Sequence, residues 1–161
     1  MIPAPTIQAL FSAHVAFVWR TLRHFGVPET DLEDQTQEVF LVAHRRAADW
    51  DGERPRAWLY GIVRRCAAGY RRRSHRRHEQ PVETLPETTD RRDPSARAEF
   101  DLVRRAIDAL DEDKRAVFIL HEIEELSMRE VAEALQCPLQ TAYTRLYAAR
   151  RELARALEEA T

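Results

Sequence analysis

One lysine, four glycines and two cysteines are all that this 161-residue chain holds of those residue types. Each scarcity excludes something. So little glycine leaves no phosphate-cradling loop and few sharp turns. Two cysteines, Cys66 and Cys137, make neither a disulfide framework nor a metal-ligand spacing. Both sit in apolar helical patterns and read as small buried hydrophobes. There is no H-E-x-x-H motif, and His75-x-x-His78 lies beside an arginine run whose charge opposes a cation. No apolar run is long enough to span a membrane, and no signal peptide opens the chain. We expect a cytoplasmic protein with no membrane insertion, no metal, no cofactor and no catalysis of its own. The lysine scarcity has a simple codon-usage explanation, and we read no chemistry from it.

Alternating β-branched runs are also nearly absent, and helical periodicity dominates. The expected class is all-α: two small helical domains joined by a flexible linker, the second containing a helix-turn-helix. The expected limits are residues 1–78 for the first domain, 79–100 for an acidic linker and 101–161 for the second. At this length each domain has a thin core.

In the first domain, Leu10, Phe11, His14, Val15, Val18, Leu22 and Phe25 recur at helical spacing, and Gly26 with Pro28 stops the helix. His14 and His24 read as helix-face residues. A second helix follows, with Asp31 as the expected N-cap and Asp34 in the first turn. Val39, Phe40 and Ala43 mark its buried stripe. Asp34, Gln37, Glu38 and Leu41 fall on another face, acidic with one apolar member, which suits either a protein contact or plain solvation. After a break at "DGERPR", Leu59, Ile62, Val63, Cys66 and Tyr70 mark one side of a third helix. Gly69 is a potential weak point in it.

Net charge is only −2, but the charge is segregated. Residues 54–78 hold nine arginines and no acid; residues 28–40 hold five acids and no base. Such a basic segment favours phosphate, the alternative being a solvated face. The aromatics Trp58, Tyr60 and Tyr70 interleave the arginines and could stack on an unpaired base or simply pack in the core.

Three prolines within 79–100 end the periodicity. Beyond them Leu102, Val103, Ile107 and Leu110 form a short helix. Asp111 or Asp113 caps the next, with Val117, Leu120, His121 and Ile123 on its face. Ser127 and Glu130 form a capping box. A three-residue break, "QCP", separates that helix from the last. There Leu139, Ala142, Leu146, Ala149 and Leu153 point inward, leaving Gln140, Thr141, Tyr143, Thr144, Tyr147, Arg150 and Arg151 outside. This is a helix-turn-helix whose outer face can read base edges and hold phosphates, or else an ordinary helical hairpin. Residues 138–157 hold four arginines against one acid, while residues 108–133 hold nine acids against three bases.

The ordered set "DLEDQTQEVFLVAHRR", "WLYGIVRR" running into the arginine cluster, a linker, and "LSMREVAEALQCPLQTAYTRLYAARREL" resembles a bacterial RNA polymerase sigma factor of the extracytoplasmic-function group. The resemblance implies binding to core polymerase, through the β′ clamp helices and the β flap, and to promoter DNA, with an anti-sigma factor as a further partner. It places Asp34, Gln37, Glu38 and Leu41 on the clamp. It places Arg54, Arg56, Trp58, Arg64, Arg65, Arg71, Arg72, Arg73, Arg76 and Arg77 at the −10 element, with the loop 51–57 receiving a flipped base. It places Thr141, Tyr143, Thr144, Arg145, Tyr147, Arg150 and Arg151 at the −35 element. The family often has Gly where Gln136 and Gln140 stand, Lys or Arg at Tyr143, Asn at Arg65 and sometimes Arg at Ala148. Each cation missing from the −35 face flattens the salt dependence by about one unit. No further C-terminal domain is expected. A stand-alone helix-turn-helix regulator and an arginine-rich protein-interaction module are the rival readings, together with a sigma-like protein that does not initiate.

Overall fold

The computed structural model describes residues 6–77 and 93–160, without the side chains of Arg76 and Arg77. These residues divide into two units, one on each side of the undescribed segment. No strand occurs among them.

The first unit is a bundle of three mutually packed helices. Helix α1 (Ile7–His24) opens with the Thr6 hydroxyl accepting from Ala9 N at 3.2 Å. It closes where Val27 N donates to the Leu22 carbonyl at 3.2 Å, with Gly26 left-handed at φ +89°. Only glycine adopts that φ without strain. Helix α2 (Glu29–Arg46) starts three residues earlier than its sequence suggests, with Pro28 and not Asp31 at the cap. Pro28 occupies the cap with no side-chain hydrogen bond, its fixed φ of −67° already suited to entering a helix. Asp31 is therefore inside the first turn and not the N-cap, and Asp34 falls in the second turn. A 3₁₀ turn (Ala47–Asp49) and a short loop lead to α3 (Pro55–Arg77), which runs unbroken through Gly69.

Val18, Leu22, Leu32, Val39, Ala43, Leu59, Val63 and Ala67 are buried where the three helices meet. Burying each leucine or valine contributes about 1.5–3 kcal/mol. The Thr21 and Thr36 hydroxyls inside this core donate back to the Phe17 and Leu32 carbonyls at 2.7 Å. Neither buried hydroxyl donor is wasted. Phe11 is 41% exposed rather than buried, its ring edge-on to Phe40 at 4.9 Å.

In the second unit, α4 (Pro94–Asp108) is capped by Asp93, whose carboxylate accepts from Ser95 N at 3.4 Å. Residues 94–100 are thus helix, not linker: proline at the first helical position needs no donor, and Asp93 supplies the cap. The part of the expected linker over 79–92, like His78, lies outside the described residues. Val103, read as part of the packed pattern, is 42% exposed.

Helix α5 (Glu112–Phe118) is capped by Asp111, whose Oδ1 accepts from Lys114 N at 3.0 Å. Asp113 is inside its first turn. α5 runs into a π-turn (Ile119–Ile123), closed by Leu126 N donating to the Leu120 carbonyl at 2.9 Å. Ile123 is 47% exposed, because the widened turn rotates it off the face that Val117 and Leu120 bury.

Helix α6 (Met128–Leu135) has the full capping box: Glu130 N donates to Ser127 Oγ and Ser127 N to Glu130 Oε2. It ends on a Schellman close, Cys137 N to the Ala132 carbonyl at 3.0 Å. Helix α7 (Leu139–Glu159) packs against α4, α5 and α6 through Ala142, Leu146, Ala149 and Leu153. Leu139, expected inside, is 40% exposed in the first turn of α7.

Gln136 completes the α6 close at φ +52° and ψ +47°. A side chain there strains the backbone, which glycine relieves at the cost of a freer unfolded chain. Gln136→Gly is expected to stabilise the second unit by roughly 0.5–1 kcal/mol. A thermal melt followed by far-UV circular dichroism checks it, and a lower midpoint contradicts it.

Candidate nucleic-acid interfaces

α2 buries Leu32, Val39, Phe40 and Ala43, and the helical repeat then turns Asp34, Gln37 and Leu41 outward. Leu41 is 56% exposed. Glu38, half-buried, faces Arg45 at 3.6 Å. The four residues expected to share a face do so, and three of them stand clear of the bundle.

α3 divides its residues in the same way. Leu59, Ile62, Val63 and Ala67 go to the core, while Arg64, Arg65, Arg71, Arg72 and Arg73 are exposed. The Arg71 guanidinium lies 5.7 Å from the centre of the Phe25 ring, a cation–π contact that steadies its base. Arg76 and Arg77 lie on the last turn of α3. The Tyr70 hydroxyl donates to Asp31 Oδ2, tying α3 to α2. Burial, then that acidic partner, pushes the Tyr70 phenol above its ordinary range.

The loop before α3 is pinned from within. Trp50 Nε1 donates to the Glu53 carbonyl at 2.7 Å, and Glu53 N donates to Asp51 Oδ1 at 2.9 Å. Gly52 and Arg54 both take positive φ, +85° and +47°. For Arg54, which is exposed, that conformation is strained. Trp58 stacks on Trp50 with ring centres 4.7 Å apart and planes 11° apart, so one face of Trp58 is covered. Trp50 escaped the sequence reading, since nothing in the spacing of two tryptophans across a loop signals a stack. Tyr60 is core, its ring 5.9 Å from Phe25. Arg56, half-buried, lies near His14. Burial first, and the Arg56 charge second, push the His14 pKa below its ordinary value.

Cys66 is half-buried on α3. Burial and then Glu38 push its thiol up, outweighing Arg73 and Arg45. The nucleophile is the thiolate, so Cys66 is expected to alkylate more slowly than a free cysteine at neutral pH. Mass spectrometry after timed iodoacetamide treatment of the folded chain checks this, and labelling as fast as in the denatured chain contradicts it.

In the second unit the helix-turn-helix is α6, the turn 136–138 and α7. Tyr143, Thr144, Tyr147, Arg150 and Arg151 are exposed on α7, and Thr141 and Arg145 are half-buried. The Tyr143 and Tyr147 rings are 6.1 Å apart. Thr144 Oγ1 donates to the Gln140 carbonyl at 3.0 Å. Two arginines of this set have acidic partners from α5 and its π-turn: Arg150 Nε donates to Glu122 Oε1 at 2.8 Å, and Arg145 Nη2 stands 3.7 Å from Asp113 Oδ2. These pairs join elements far apart in sequence, and no local pattern announces them.

Among the described residues no group of three or more His, Cys, Asp or Glu is placed to hold a metal ion. No described helix is long and apolar enough to cross a membrane.

Residues 10–77 match the family model for sigma-70 region 2, and residues 100–153 match that for sigma-70 region 4. The chain is 30% identical over 162 aligned positions to the RNA polymerase sigma factor CnrH of Cupriavidus metallidurans, covering 92% of this chain and 85% of the relative. The chain belongs to the sigma-70 family, in its extracytoplasmic-function group.

The ECF RNA polymerase sigma-E factor of Escherichia coli is 29% identical, with 77% of this chain and 72% of the relative covered. Among solved structures, that of CnrH in complex with the cytosolic domain of CnrY matches with a TM-score of 0.71 and 29% identity, over 96% of this chain and 89% of that one. The sigma factor RpoE of Bartonella quintana, solved with the anti-sigma factor NepR, shares the fold at a TM-score of 0.64 and 22% identity, over 92% of this chain and 96% of that one. The chain is therefore a sigma factor by family, and the basic α3 and the helix-turn-helix fall in its regions 2 and 4.

Proposed function

We propose that this sigma factor docks on the polymerase core through α2 and directs initiation at promoters carrying a −10 and a −35 element. Asp34, Gln37, Glu38 and Leu41 bind the clamp helices of β′, and the second unit binds the β flap. Arg54, Arg56, Trp58, Arg64, Arg65, Arg71, Arg72, Arg73, Arg76 and Arg77 hold the strand being melted at the −10 element. Thr141, Tyr143, Thr144, Arg145, Tyr147, Arg150 and Arg151 meet the −35 duplex. Polymerase supplies the chemistry and this chain supplies recognition, acting in the cytoplasm where the polymerase is.

The observation that carries this reading is the α2 face. A leucine 56% exposed among acidic and amide side chains suits a basic helical partner with an apolar seam. A stand-alone duplex-binding regulator has no use for that face. The exposed arginines of α3 support the −10 role, since arginine neutralises phosphate and the basic segment carries no acid. The helix-turn-helix supports the −35 role. CnrH was solved bound to the cytosolic domain of CnrY, which supports an anti-sigma partner for this chain as well.

The test is run-off transcription. Purified chain is mixed with core polymerase lacking any sigma, and fragments of the host genome are supplied. Discrete start sites sharing two upstream elements are expected. Tight binding to closed duplex with no binding to core points instead to the stand-alone regulator.

A further inference from the structure

α7 is the helix that the proposed function lays against duplex DNA, and any role for its acidic neighbours in DNA binding depends on that placement. Its arginines are not electrostatically equal. Arg150 directs both Nε and Nη2 at one oxygen of Glu122, the Nε bond measuring 2.8 Å. Arg145 faces Asp113 at 3.7 Å. Both acids reach α7 from one continuous segment, Glu122 from the π-turn and Asp113 from the first turn of α5.

An exposed ion pair stabilises a fold little, and the Arg150–Glu122 pair is open to water, its side chains 47% and 33% accessible. Its larger consequence lies in the charge presented to DNA. The Nε–Nη2 edge that Glu122 occupies is one of the two edges a guanidinium can offer to a phosphate. A duplex approaching α7 must either displace Glu122 or accept Arg150 as half of a neutral pair. In both cases a carboxylate remains beside the backbone and opposes binding.

We propose that Glu122 holds down the affinity of α7 for DNA. By neutralising Arg150 in the free chain it weakens binding to arbitrary DNA, which offers only phosphates. A matched −35 sequence adds base contacts from the remaining α7 side chains and so overcomes the exchange. Asp113 acts on Arg145 in the same sense, more weakly at its longer distance.

The test measures binding of the full chain to a mixed-sequence duplex by fluorescence anisotropy at salt concentrations from about 50 to about 300 mM. Glu122→Gln is the informative variant, because glutamine keeps the size and the acceptor oxygen and loses only the charge. It is expected to tighten binding on the order of five- to tenfold at about 0.1 M salt and to steepen the salt dependence by about one unit. In an Arg150→Ala background the same change is expected to gain no more than about twofold, since no arginine remains to release. An unchanged slope with Glu122→Gln overturns the proposal. So does an equal gain with and without Arg150, which marks a general charge effect. If Arg150→Ala itself leaves both affinity and slope untouched, Arg150 does not meet DNA, and that part of the α7 placement fails together with the proposal. A loss with Arg150→Ala alongside an inert Glu122→Gln sinks the proposal alone.

Discussion

Asp34→Arg and Leu41→Arg are each expected to abolish sigma-dependent transcription while the chain stays folded. Both side chains are exposed on α2, so neither substitution disturbs the core of the first unit. Asp34→Arg sets like charges against the basic partner proposed for this face, and losing one partner of an interfacial charge pair costs about 2–5 kcal/mol. Leu41→Arg removes the apolar member of the patch and buries a charge in its place, at a comparable cost. Affinity for core should fall at least about thirtyfold in either case. Titration of fluorescently labelled core reads this directly, and far-UV circular dichroism reports the fold. Unchanged affinity for both variants removes α2 from the interface. Glu38→Arg is the less clean probe, because it also breaks the contact with Arg45 at 3.6 Å.

Leu146→Ala should unfold the second unit and spare the first. Leu146 is 2% exposed on α7, in the face where α5 and α6 close against it. Truncating a buried leucine costs about 2–5 kcal/mol, and a unit this small has little more than that in reserve. All three tryptophans, Trp19, Trp50 and Trp58, lie in the first unit. Tryptophan emission should therefore remain native while far-UV ellipticity falls and duplex binding through α7 is lost. Native helicity and duplex binding at wild-type level would contradict this role for Leu146. Simultaneous loss of native tryptophan emission would show that the two units do not fold separately.

Much of this was legible in the chain itself. Most of the helices, the Gly26 stop, a cap at Asp111 or Asp113, the Ser127–Glu130 box and the break at 136–138 all rest on contacts within a few residues. So does the split between core and outer faces of α2 and α3, because helical repetition alone separates Val39 from Leu41 and Val63 from Arg64. The family resemblance depends on the same short-range signals in a particular order.

Other features were decided only when distant segments met. The start of α2 at Glu29 frees Asp31 from capping, and it is Tyr70, 39 residues away, that takes its carboxylate. The sequence leaves Trp58 open between stacking on a base and packing in the core, and it is Trp50 that covers one of its faces. Ile123 and Leu139 fit the apolar repeat but stand outside, since a π-turn shifts the phase of one and the other lies in the first turn of its helix. The sequence gives Arg145 and Arg150 no partner, and it is folding that brings Asp113 and Glu122 to them from α5 and its π-turn. Periodicity states which side of a helix faces inward. It is silent on which residues of another helix will be waiting there, and a side chain's remaining charge depends on that partner. The sequence alone thus determined most of the helices, most of their buried positions and the family resemblance; tertiary packing decided which side chains remain available, because ion pairs, ring stacks and cross-helix hydrogen bonds form between groups that only folding brings together.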